Sequence, residues 1–95
     1  MGTVTVFICE DGHPYHLVHP NVMRSGEVTI ELEVVERRGC RCGKRCAARV
    51  DFSTDTTDLA LLAKEAGIQL LKGNFEGRPV IDLTTVPKSS QLYLV

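Results

Sequence analysis

Glu27-Val28-Thr29-Ile30-Glu31-Leu32-Glu33-Val34-Val35-Glu36 alternates apolar and polar side chains more regularly than any other run in the chain. In an extended chain, Val28, Ile30, Leu32 and Val34 share one side, and Thr29, Glu31, Glu33 and Val35 share the other. A period of two predicts a strand over 27–36, with an aliphatic face buried and an acidic face in water.

The segment that follows is different in kind. Arg37 to Arg49 holds three of the four cysteines and six of the eleven basic residues. Gly39 and Gly43 admit the positive φ that tight reversals around a bound ion need. The pattern predicts an irregular loop, after which Ala48, Val50 and Phe52 alternate with Ala47, Arg49 and Asp51 as a new strand.

Upstream, Thr3 to Cys9 alternates as a strand, Glu10-Asp11-Gly12-His13-Pro14 carries a turn signature, and Tyr15 to Val18 fits a hairpin partner. His19-Pro20 ends that strand, because proline cannot donate to a ladder. Downstream, Asp55 as N-cap with Asp58 three residues later predicts a helix start. Leu59, Leu62, Ala63 and Ala66 form its apolar stripe, and Gly67 with Ile68 closes it. Ile68–Lys72 and Val80–Leu83 read as short strands around a loop over Gly73–Pro79. Gln91–Val95 reads as a final apolar strand, or as a C-terminus of the kind carboxylate-capturing domains accept.

The expected architecture is a single α+β domain spanning residues 1–95. It is a small, mostly antiparallel sheet of about five or six strands with one helix packed on its aliphatic face. The 95 residues include three Phe, two Tyr and no Trp, so the core is aliphatic. A chain this short builds a modest core, and a metal or cross-link adds materially to its stability.

Charge limits the classes of partner. The net charge is −1 and the pI is about 6.3, below the pI of roughly 9 and above that marks a dedicated nucleic-acid domain. The positive charge is local, and Glu27, Glu31, Glu33 and Glu36 precede it. Met1-Gly2-Thr3-Val4-Thr5-Val6 lacks the basic and apolar regions of a secretory signal. No apolar run approaches the ~18 residues that span a membrane. The expectation is a cytoplasmic or nuclear domain with reduced thiols and no membrane contact.

Cys40, Cys42 and Cys46 form C-x-C-x3-C, three soft ligands of the type zinc prefers, and a tetrahedral site needs a fourth. Cys9, His13 and His16 lie in or near the first hairpin turn and are the candidates. Free thiols, or disulfides such as Cys9–Cys46, are the competing states. The rim of the loop, Arg37, Arg38, Arg41, Lys44, Arg45 and Arg49, is suited to anions, since guanidinium groups bind them through two parallel hydrogen bonds.

These features predict a zinc-stabilised, non-catalytic module whose basic Cys loop docks on an acidic protein surface. The first alternative is nucleic-acid binding through Arg37–Arg49, although that segment has no aromatic side chain to stack a base. The second is a cysteine-based redox or hydrolytic enzyme, although nucleophile-elbow, phosphate-loop and paired-carboxylate signatures are all lacking. Exposed strand edges also allow a homodimer.

Overall fold

Residues 4–18 and 26–86 are described by the computed structural model. They form five strands in two antiparallel sheets, and two α-helices. Strand β1 (Val4–Cys9) is the centre of a three-stranded sheet, flanked by β2 (Pro14–Val18) and β3 (Cys46–Phe52) in the order β2-β1-β3. Both neighbours pair antiparallel to β1. They therefore run parallel to each other on opposite edges, and the chain must cross the sheet between them.

That crossing corrects the reading of Glu27–Glu36. The segment is helix α1 (Gly26–Arg38), not a strand. Parallel strands need a crossover of a dozen or more residues, usually helical. The sequence satisfies both periods, but Val28, Leu32 and Val35 stand at i, i+4 and i+7, and these are the residues α1 buries. Ile30 and Val34 are instead 66% and 41% exposed. Glutamate favours helices and is poor in strands. Glu27 in the first turn and Arg37 and Arg38 in the last suit the helix dipole. Gly39, at φ 73°, follows as the left-handed C-terminal residue.

All six residues of β1 are buried, so both faces of the central sheet are covered. On one face Val4, Val6 and Ile8 pack with Ala48 and Val50 of β3 and with the second helix, α2 (Leu59–Ala66), through Leu59, Leu62 and Ala63. On the other, Phe7 and Val18 pack with Val28, Leu32 and Val35 of α1. The expected single helix is thus half of the cover. Each aliphatic side chain buried this way contributes about 2 kcal/mol.

α2 begins later than expected. Its N-cap is Asp58, whose carboxylate accepts from the Ala60 N–H at 3.0 Å; Asp55 does not cap it. Its end matches the expectation: Gly67 is left-handed, and the Ile68 N–H donates to the Ala63 carbonyl at 2.8 Å.

The remaining strands, β4 (Leu70–Phe75) and β5 (Arg78–Ile81), form a separate hairpin. The loop expected over Gly73–Pro79 is only a two-residue turn. Glu76 and Gly77 both have positive φ, the geometry that matches strand twist. β5 docks on the first hairpin through an Ile81 N–H bond to the Gly12 carbonyl at 2.8 Å. The strand end expected at His19-Pro20 and the final strand expected at Gln91–Val95 lie outside the described residues. Among the described residues, no helix is long and apolar enough to cross a membrane.

Candidate metal centre

The sheet topology delivers three segments to one place. β1 ends at Cys9, the β1–β2 turn carries His13, and α1 returns to the same end before the loop to β3. Two reversals of one design meet there. Cys9-Glu10-Asp11-Gly12-His13 and Cys40-Arg41-Cys42-Gly43-Lys44 share the form Cys-x-x-Gly-x. In each, the glycine N–H donates to the cysteine carbonyl at 2.9 Å. In each, the cysteine N–H donates to the carbonyl of the fifth residue, at 3.0 Å to His13 and 3.1 Å to Lys44. Gly12 and Gly43 have φ of 85° and 91°, so glycine is required at both.

The shared geometry turns backbone amides toward sulfur. The Asp11 N–H donates to Cys9 Sγ at 3.4 Å, and the Cys42 N–H makes the equivalent bond to Cys40. Amide donors favour a thiolate over a thiol. The two reversals are tied by the Glu10 N–H bond to the Arg45 carbonyl at 3.1 Å and the Arg45 N–H bond to Glu10 Oε1 at 3.3 Å.

The ligand atoms of Cys9, His13, Cys40 and Cys42 all lie within 4.8 Å of one another, close enough to hold one metal ion. Cys9 Sγ is 3.7 Å from Cys42 Sγ, and Cys40 Sγ is 3.9 Å from His13 Nδ1. A tetrahedral ion with metal–sulfur bonds of roughly 2.3 Å sets sulfur–sulfur edges near 3.8 Å. A disulfide would need about 2.05 Å, and all four cysteines are free. The donor set is therefore three thiols and an imidazole in metal-sized geometry.

Cys9 and Cys40 are buried, whereas Cys42 and His13 are partly exposed. Burial pushes the Cys40 thiol up to about 11. Desolvation also raises Cys42, but hydrogen bonds from the Lys44 N–H and from His13, Cys40 and Cys9 outweigh it and bring that thiol down to about 7. The His13 ring is stacked on Phe75 at the end of β4, with centroids 4.0 Å apart and planes within 3°. The second hairpin thus braces a candidate ligand. Nothing in the local sequence around Phe75 signals this, because it depends on where β4 docks.

Cys46 and His16, expected as ligands, stand outside the group. β3 begins at Cys46, so sheet register governs its side chain. A bulge between Ile8 and Cys9 in the β1–β3 ladder places Cys46 opposite Cys9 and packs it with Tyr15 on the α1 side. Its Sγ donates to the Ala48 carbonyl at 3.4 Å, and burial raises its pKa. Tyr15, raised chiefly by burial and next by its hydrogen bond to Cys46, donates its hydroxyl to the Glu36 carbonyl at 3.2 Å. His16 pairs with Phe7 across β1–β2, with ring centroids 6.1 Å apart.

The expected basic rim also divides. Arg41 pairs with Glu76 at 3.2 Å, and Arg49 pairs with Asp51 at 3.6 Å and lies over the Phe7 ring. Arg37, Arg38, Lys44 and Arg45 line one cleft. Comparison of the chain with protein-family models, with curated proteins and with solved structures finds no match.

Proposed function

We propose that Cys9, His13, Cys40 and Cys42 hold one zinc ion, and that the protein is a non-catalytic interaction module whose basic loop docks on an acidic protein surface. The observation that carries this reading is the convergence of the four ligand atoms within 4.8 Å at the end of the sheet. Three thiolates and one imidazole are a donor set zinc favours, and four protein ligands leave no open position for substrate. The ion would tie the α1–β3 loop to the first hairpin turn. Zinc with three thiolates carries a net charge of −1, which the surrounding cations offset.

In this reading the metal presents the arginines rather than performing chemistry. The Cys40 N–H bond to Lys44 and the Glu10–Arg45 bonds fix the backbone of the rim. A preorganised loop binds with a smaller ordering penalty.

Retention on immobilised polyglutamate tests the reading. The zinc-loaded protein should be retained in a salt-sensitive way. Chelation, or Lys44→Glu with Arg45→Glu, should release it. Retention unaffected by both treatments would contradict the proposal.

A further inference from the structure

The six cations between Arg37 and Arg49 are not one patch. With Arg41 and Arg49 paired elsewhere, Arg37, Arg38, Lys44 and Arg45 share a cleft of about 540 Å³ between the last turn of α1 and the Cys loop, with Glu33 and Glu36 on its wall. None of the four has an ion-pair partner among the described residues. Glu33 stands four residues before Arg37, the spacing that favours a helical ion pair, yet no such pair is formed. The cleft therefore sets four exposed cations against two carboxylates, a formal excess of two positive charges.

Resting on the docking reading above, we infer that this cleft binds the phosphoryl group of a phosphorylated side chain on the partner protein. Three guanidinium groups and one ammonium exceed what a carboxylate can use, since one arginine already satisfies it with two parallel bonds. A phosphoryl group offers three acceptor oxygens and a charge of about −1.5 to −2. Nucleic acid fits less well. No aromatic ring lines the cleft to stack a base. The backbone on one side of the cleft is fixed. A Cβ on Gly39 would lie 2.8 Å from the Lys44 carbonyl oxygen, so the two strands of the loop are in close contact.

An NMR titration of the full chain in zinc-containing buffer tests this. The probes are a short Gly/Ala peptide centred on phosphoserine, the same peptide with Ser or Glu at that position, and an oligothymidine of equal charge. The phosphopeptide should shift the amides of residues 37–39 and 43–46 saturably, and at least about tenfold more tightly than the Glu peptide. Arg38→Gln and Arg45→Gln should each weaken it by a similar factor, while Lys64→Gln, on α2, should leave it unchanged. Equal binding of the Glu peptide would overturn the phosphoryl assignment and leave acidic docking standing. No shift with either peptide would overturn both. Tighter binding of oligothymidine would reassign the cleft to nucleic acid.

Discussion

Gly12 and Gly43 occupy matching positions in the two Cys-x-x-Gly-x reversals, so the same substitution at both separates backbone strain from contact. Their φ values of 85° and 91° are nearly equal. Alanine at either site should therefore lose about 1–2 kcal/mol to the left-handed backbone. At Gly43 no atom lies within 4 Å of the added Cβ, and the loss should stop there. At Gly12 the Cβ would lie 2.0 Å from the Ile81 carbonyl oxygen and 3.3 Å from Val80 Cγ1. That contact is impossible, so β5 must retreat from the turn. The retreat breaks the Ile81 N–H bond to the Gly12 carbonyl, a further loss of about 1 kcal/mol, or more if the buried groups stay unpaired. Gly12→Ala should thus be the more destabilising by about 1–3 kcal/mol. For a chain of this size that is a melting difference on the order of 10 °C. Urea unfolding of both variants in the same zinc buffer measures it. Equal destabilisation would refute the claim that the second hairpin is clamped on the β1–β2 turn.

Three further outcomes follow from the fold. Leu32→Ala, in the core under α1, should cost about 2–4 kcal/mol, whereas Ile30→Ala should stay within ~0.5 kcal/mol; comparable losses in denaturant unfolding would restore the strand. Asp58→Ala should lose about 1 kcal/mol through its cap while Asp55→Ala loses little, and a larger loss at Asp55 would move the helix start. The His16 pKa is lowered from 6.5 chiefly by burial, with Arg78 and Arg38 adding to the effect and Glu31 opposing it. The unfolded chain therefore binds the extra proton, so His16 supports stability above pH 6.5 and that support is lost as pH falls through the folded-state pKa. His16→Asn should flatten the acid side of the stability curve relative to the parent in the same buffer; an unchanged slope would exclude the effect.

Much of the fold is legible in the residues, and the failures have physical causes. The alternation of Val4, Val6 and Ile8 and of Ala48 and Val50 describes strands whose one face meets α2. The Gly67-Ile68 stop is plain because a left-handed residue there needs glycine. Residues 27–36 mislead because apolar residues at 28, 30, 32, 34 and 35 satisfy both periods. The topology decides for the helix, since β2 and β3 lie on opposite sides of β1 and the connection must cross the sheet. The boundary signals of α1, with Glu27 first, Arg37 and Arg38 last and Gly39 beyond, are local and could have tipped the balance. The Cys/His group is half visible in the sequence. Cys40 and Cys42 stand together in sequence, and Cys9 and His13 are legible as a second Cys-x-x-Gly-x turn. Cys46 falls outside the group although C-x-C-x3-C reads as one loop, because a strand begins at its last residue.

Native and denaturing mass spectrometry of the parent, Cys42→Ser and Cys46→Ser test the central claim most directly. If Cys9, His13, Cys40 and Cys42 are the ligands, the native parent and Cys46→Ser should each carry one zinc mass that denaturation removes, and Cys42→Ser should lose it. Zinc retained by Cys42→Ser and lost from Cys46→Ser, or absent from the parent under non-chelating conditions, would contradict the account.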